Sequence, residues 1–131
     1  MALHQPISIL LVEDDECACE IISSMLAMGF PHAQIHIAGD GKTGLECFRR
    51  HLPDIVITDI NMPEMDGVSM LGNMPSIKPD ARVIVVTAHS DKLNLERITS
   101  AGVAVELVPK PIDFESLFAS IKRCITSLSS Q

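Results

Sequence analysis

Four short apolar runs in this chain end on residues that could perform chemistry. The run ISILLV is followed by three acids, Glu13–Asp15, and the run IVIT is followed by Asp59. The run RVIVV ends on the hydroxyl of Thr87, and VELVP is followed by the amine of Lys110. Any one of these groups alone would most often be a solvated strand end or a helix cap. Four such groups on four runs favour a functional site.

The chemistry that these groups suggest is phosphoryl transfer to a carboxylate. Two like charges about 4 Å apart repel by roughly 4 kcal/mol at an effective dielectric of 20, so clustered acids favour a bound cation. Oxygen ligands suit Mg²⁺. One carboxylate could then attack phosphorus, while the metal and an ammonium neutralise phosphoryl charge and a hydroxyl donates a hydrogen bond. This requires a fold that brings the four run ends together.

Five apolar runs rich in β-branched residues predict five strands. Three of them are nearly continuous Val, Ile and Leu, which is typical of parallel strands covered on both faces. The predicted strands are Ile7–Val12, Gln34–Ala38, Asp54–Thr58, Arg82–Thr87 and Val105–Val108.

Segments with helical periodicity follow each predicted strand. In the first, Ala18, Ile21, Ile22 and Met25 recur at helical spacing. The next three are a short helix opened by AGDG at 38–41, a weaker one at 67–74, and one at 92–101 that ends at Gly102. The last follows Asp113, a plausible N-cap. Its apolar stripe consists of Phe114, Leu117, Phe118, Ile121 and Ile125.

The alternation of strand and helix predicts an α/β fold. Right-handed crossovers place helices on both sides, so we expect a doubly wound, five-stranded parallel sheet with five helices on its two faces. The carboxyl ends of the strands would then form the functional edge. The length of 131 residues favours one domain over residues 1–131, with a core of about 6–128 and a polar tail, SLSSQ.

The composition excludes several classes of function. A net charge of −7 argues against nucleic-acid binding and against a polybasic membrane anchor. We find no apolar run of membrane-spanning length and no signal peptide, and we expect a cytoplasmic protein. The cysteines lack paired C-x-x-C spacing and are interpreted as small buried or half-buried thiols in a reducing compartment. They are Cys17, Cys19, Cys47 and Cys124.

Several stretches resemble the receiver domain of response regulators in two-component signalling, in order as well as in spacing. The similarity covers nearly the whole chain. Receiver domains are flavodoxin-like and have the strand order 2-1-3-4-5, so the resemblance implies that order here. The matching stretches are ILLVEDDE (9–16), AGDGKTGLECF (38–48), PDIVITDINMPEMDG (53–67), VIVVTAH (83–89) and LVPKPID (107–113).

The resemblance implies a Mg²⁺ site next to a phosphoacceptor. Asp59 would accept the phosphoryl group. Asp14 would bind the metal directly, together with Asp59 and the main-chain carbonyl of Asn61. Glu13 would act through water.

The resemblance also implies how the phosphoryl group is held. Thr87 and Lys110 would bind it, and the Lys110–Pro111 bond would be cis. Asp15 would start the first helix and bind no metal.

Two features depart from the family. Leu107 stands where Tyr or Phe is common, so the usual aromatic rotation coupled to the threonine is replaced by repacking of Leu107 or by a backbone shift. The segment 101–110 is one residue longer than usual.

His89 lies where side chains of this family influence phosphoryl lifetime, or it is an exposed loop residue.

The leading hypothesis is a receiver that takes a phosphoryl group from a histidine kinase or phosphotransfer protein and switches an output surface. Its only catalysis would be its own phosphorylation and hydrolysis. The partner could be an effector domain after Gln131, a separate target, or a second copy bound through the fourth helix, fifth strand and fifth helix. The alternatives are a phosphorylation-independent interaction module and a haloacid-dehalogenase-type phosphatase, which would need an acid where Asn61 stands.

Overall fold

The computed structural model describes residues 6–59, 67–87 and 105–129, and within them the strand predictions hold to within one residue at each end. The predicted helix at 92–101, Asn61 and His89 lie outside these ranges. The five strands are β1 (Ser8–Val12), β2 (Gln34–Ala38), β3 (Ile55–Asp59), β4 (Arg82–Thr87) and β5 (Val105–Pro109).

Four helices lie in the described ranges, and each begins where a polar residue or glycine marks its start. Asp15 and Asp40 cap the first two, accepting hydrogen bonds from the backbone N–H groups of Ala18 (3.0 Å) and Thr43 (2.7 Å). The helices are α1 (Glu16–Gly29), α2 (Gly41–His51), α3 (Gly67–Asn73) and the C-terminal helix (Phe114–Ser129).

The sheet is parallel throughout and has the order β2-β1-β3-β4-β5. This confirms the predicted flavodoxin-like, doubly wound fold. β1 lies between β2 and β3, with Val12 paired to both Ala38 and Thr58. All strand carboxyl ends therefore lie along one edge of the sheet.

The strands are covered on both faces because successive side chains point to opposite sides. In β1, Leu10 and Val12 pack with Phe48 of α2 in one buried cluster. Ile9 and Leu11 pack in a second cluster with α1 and the C-terminal helix. The near-continuous Val/Ile/Leu composition of β1, β3 and β4 follows from this double coverage.

The predicted apolar stripe of α1 is partly wrong. Ile21 is 56% exposed, whereas Ile22 and Leu26 are buried. Consecutive residues on a helix lie about 100° apart, so only one of two adjacent isoleucines can face the sheet. The core stripe runs through Ile22 and Leu26, with Cys19 packed beside it.

The C-terminal helix follows its prediction. Leu117 and Ile121 are buried, and Phe118 packs on the same cluster. Asp113 accepts a hydrogen bond from the backbone N–H of Glu115 (3.1 Å) just before the helix. Within the described ranges, no helix is long and apolar enough to cross a membrane.

Candidate functional site

The pairing of β1 with β3 brings two predicted acids to the same edge of the sheet. Val12 and Thr58 are register partners, so Glu13 and Asp59 each follow one member of the pair. The backbone N–H of Glu13 donates to the carbonyl of Ala38 (3.0 Å), which extends the sheet hydrogen bonding by one residue. Both carboxylates are mostly buried, with exposed fractions of 9% for Glu13 and 6% for Asp59.

Lys110 reaches Asp59 from the end of β5, although β4 separates the two strands. Its Nζ forms an ion pair with Asp59 Oδ2. The Asp59 side chain is 7% exposed and that of Lys110 is 38% exposed. The peptide bond between Lys110 and Pro111 is cis, as the resemblance implied. The contact brings together two of the groups that the sequence places at the ends of strands.

Glu13 lies in an unfavourable setting for a carboxylate. Its pKa is raised, chiefly by burial and also by a hydrogen bond with Asp14 and the charge of Asp59. The backbone N–H of Asp15 donates to Glu13 Oε2 (3.1 Å) and, with the more distant Lys110, opposes this rise in pKa. The site therefore holds more negative charge than its lysine neutralises.

The donor set fits a hard divalent cation. Glu13 and Asp59 are nearly buried, while Asp14 is exposed and borders an open cavity of about 490 Å³. Glu13 and Asp59 near the single ammonium of Lys110 already leave a surplus of negative charge, and Asp14 adjoins Glu13. Oxygen-only donors favour Mg²⁺ over softer metals. Asp15 instead caps α1, as predicted.

The remaining predicted site residues are only partly described. Thr87 ends β4, where its backbone pairs with Pro109 of β5. Its side chain, and Asn61 and His89 altogether, lie outside the described ranges. Leu107, at the position where the family often has an aromatic residue, is 49% exposed on β5.

Sequence reasoning missed one polar cluster away from this edge. His36 on β2 lies beside Cys47 and His51 on α2. The spacing of four between Cys47 and His51 on a helical segment was the available signal. The interpretation of the cysteines was also too uniform, since Cys17 is exposed, Cys19 and Cys47 are intermediate, and Cys124 is buried.

Comparison with known proteins agrees with this geometry. The sequence model of the response regulator receiver domain matches residues 9–122. The chain is 31% identical over 127 residues to the transcriptional regulatory protein ZraR of Escherichia coli K12, covering 97% of the chain and 28% of that protein. It is 34% identical over 118 residues to the regulatory protein AtoC of the same organism, covering 89% of the chain and 25% of AtoC.

Solved structures show the same fold over almost the whole chain. The N-terminal domain of an uncharacterized protein from Wolinella succinogenes superposes with a TM-score of 0.83 at 33% identity, covering 95% of this chain and 99% of that one. A response regulator receiver domain protein from Clostridium thermocellum gives 0.84 at 26% identity, covering 94% and 97%. The chain spans about a quarter of the length of ZraR and AtoC. On this evidence the chain belongs to the response regulator receiver domain family.

Proposed function

We propose that Asp59 accepts a phosphoryl group from a phosphohistidine of a histidine kinase or phosphotransfer protein, in a Mg²⁺-dependent reaction. The observation that carries the proposal is the placement of Asp59, paired with Lys110 and flanked by Glu13, at the carboxyl edge of the sheet. In open α/β sheets this edge is where ligands bind.

The reaction needs an oxygen nucleophile and a way to neutralise phosphoryl charge. A carboxylate oxygen of Asp59 attacks phosphorus, the P–O bond forms, and the P–N bond to the donor imidazole breaks. The Lys110 ammonium already lies at Asp59 and is positioned to neutralise an equatorial phosphoryl oxygen. Thr87 would donate a hydrogen bond to the same group.

The acidic residues contribute by holding a metal. Asp14, Asp59 and the main chain of Asn61 would bind Mg²⁺, with Glu13 acting through water. When bound, Mg²⁺ supplies charge neutralisation at the phosphoryl group. The surplus negative charge around Glu13 favours binding of a divalent cation in this pocket.

Phosphorylation would then shift a two-state surface. An equilibrium moved from 1:99 to 99:1 needs about 5.5 kcal/mol of differential stabilisation. Attraction of Lys110 and Thr87 to the phosphoryl group would pull on the ends of β5 and β4, and so on the face formed by β5 and the C-terminal helix. Leu107 is exposed on β5, so its environment should report a movement of this strand.

The output is proposed to lie in a separate region or partner. ZraR and AtoC are regulatory proteins about four times as long as the part this chain matches. An effector domain in the same polypeptide, a separate target or a second copy would read the switched face. The chain itself would turn over only its own aspartyl phosphate and would act on no separate substrate.

The proposal is tested by phosphoryl uptake from acetyl phosphate, measured by intact mass. We expect the wild-type chain to gain one acid-labile phosphoryl group only when Mg²⁺ is present, and Asp59→Asn to gain none. Mg²⁺-dependent beryllofluoride binding, followed by amide chemical shifts, should show the same dependence. Equal labelling of Asp59→Asn would overturn the assignment, and failure of both ligands on the wild type would favour an interaction module.

A further inference from the structure

A cluster of two histidines and one cysteine joins the edge strand β2 to α2. His36 is at the centre of β2 and pairs with Leu10, so its side chain lies on the α2 face of the sheet. Cys47 and His51 are one helical turn apart on α2 and face it. The ligand atoms of all three lie within 4.8 Å of one another.

The cluster is accessible and partly desolvated. His36 and Cys47 are half-buried and His51 is exposed. The two imidazole rings stack with centroids 4.0 Å apart and an interplanar angle of 13°. They border an open cavity of about 450 Å³ that Glu46 and Arg50 also line. An ion could enter this cavity without unfolding either element.

We propose that His36, Cys47 and His51 form a Zn²⁺ site. Two imidazole nitrogens and one thiolate are the donor types that zinc takes in proteins, and they differ from the oxygen donors of the acidic edge. Three protein ligands leave the fourth tetrahedral position for water or for the Glu46 carboxylate, which lines the same cavity.

The three ligand atoms need to move only a short distance toward one another to bind zinc. Zn–N bonds of about 2.0 Å and Zn–S bonds of about 2.3 Å place tetrahedral donor atoms roughly 3.3 to 3.6 Å apart. Ligand atoms at the observed limit of 4.8 Å must therefore move roughly 1.2 to 1.5 Å closer together. Rotation of His51, which is exposed, can supply this and would separate the stacked rings so that both nitrogens point to one centre.

Burial shifts the pKa values of the two kinds of ligand in opposite directions. Burial, followed by the charge of His51, lowers the pKa of His36 and keeps its imidazole neutral near pH 7. Burial raises the pKa of Cys47, although Arg50 opposes this rise. Zinc displaces the thiol proton, so binding should weaken as the pH falls.

Bound zinc would cross-link the second helix to an edge strand. Among the strands in the described ranges, β2 pairs with β1 alone. A metal bound by β2 and α2 together stabilises the folded state, because the site does not exist in the unfolded chain. β2 lies two positions from β3 in the sheet order, and we expect zinc binding to be independent of phosphorylation at Asp59.

The experiment is a metal titration of the reduced, metal-free full chain. We expect one equivalent of Zn²⁺ to remain after gel filtration and to raise Tm. With Co²⁺ as the spectroscopic probe, we expect intense tetrahedral bands and a sulfur-to-cobalt charge-transfer band. Cys47→Ser should abolish that band. His36→Ala and His51→Ala should each weaken Zn²⁺ binding by roughly tenfold or more, since loss of even an outer partner costs tenfold to a hundredfold.

Matched controls separate this site from other thiols, histidines and acids. Cys17→Ser and His32→Ala change exposed residues outside the cluster and should leave binding unchanged. Asp59→Asn and excess Mg²⁺ should also leave it unchanged. His51→Ala alters an exposed residue, so circular dichroism should show an intact fold. Absence of the charge-transfer band, or unaltered Zn²⁺ affinity in both Cys47→Ser and His51→Ala, would overturn the proposal.

Discussion

An aspartate–lysine ion pair lies at each end of β3, and the two pairs differ in burial and in the groups that surround them. At the amino end, Asp54 Oδ1 lies 3.1 Å from Lys78 Nζ. At the carboxyl end, Asp59 Oδ2 contacts Lys110 Nζ. The comparison shows what distinguishes a structural ion pair from a candidate reaction centre.

The amino-end pair is satisfied by the backbone around it. Asp54 Oδ2 accepts a hydrogen bond from the Ser8 N–H (3.0 Å), and Lys78 donates to the carbonyl of Leu52 (2.8 Å). The backbone of Asp54 also bonds to Ser8 on β1 and to Arg82 on β4. Asp54 thus links β3 to β1 and β4, and Lys78 fixes the Asp54 side chain in place.

The carboxyl-end pair lies among unbalanced charges. Asp59 is far less exposed than Asp54, with side-chain exposed fractions of 7% and 30%. Its charge raises the pKa of nearby Glu13, in addition to the larger effect of burial. A buried surplus of negative charge is costly to the apo protein and favours binding of a cation, as expected of a functional site.

The largest contrast is expected from removing each lysine. Lys110→Ala should reduce the rate of phosphoryl uptake by roughly 10²-fold, the typical cost of losing one electrostatic stabiliser of a transition state. Lys78→Ala should leave the rate within about twofold of the wild type, because the Lys78 ammonium contacts Leu52 and Asp54, at the opposite end of β3 from Asp59. Acetyl phosphate kinetics by intact mass measure both. Equal losses in the two variants would show that the lysines act through folding.

A smaller effect is expected when the structural aspartate is removed. Asp54→Ala leaves the Ser8 N–H without its acceptor and removes one of the two acceptors of the Lys78 ammonium, at a cost of about 1–2 kcal/mol after allowing for partial exposure. This corresponds to a fall in Tm of roughly 4–8 °C. Calorimetry of the metal-free chain checks it. Asp59→Ala should destabilise less than Asp54→Ala, and the reverse order would contradict the comparison.

The smallest effect is expected at Glu13, and it has the opposite sign. Because the folded-state pKa of Glu13 is raised above 4.5, the folded chain binds this proton more tightly, so its contribution to stability falls as pH rises from 4.5 through the folded pKa. Glu13→Gln removes the buried charge and should raise the free energy of unfolding at pH 7, with the gain vanishing near pH 4. Urea titrations without Mg²⁺ at both pH values measure it, and a variant less stable at pH 7 would refute the sign.

The strands and the functional edge could be predicted from the sequence, whereas contacts that depend on helix packing could not. Double coverage imposes continuous apolar runs, so the strands were found to within a residue. Parallel topology then placed Asp59 and Lys110 at the same edge of the sheet. The phase of α1 was misjudged at Ile21 because adjacent isoleucines fit two rotations of the helix. The Asp54–Lys78 contact and the His36 cluster depend on how α3 and α2 pack, which periodicity does not specify.

Mapping of the phosphorylated residue distinguishes Asp59 from Asp54 as the acceptor of the phosphoryl group. Trypsin cleavage after Arg50 and Arg82 leaves both aspartates in one peptide, since the Lys78–Pro79 bond resists trypsin. Borohydride reduction of the phosphorylated chain converts an aspartyl phosphate to homoserine, which fragment ions locate. We predict homoserine at position 59 with Asp54 intact. Homoserine at position 54, or in the peptide that contains Glu13 and Asp14, would contradict the account.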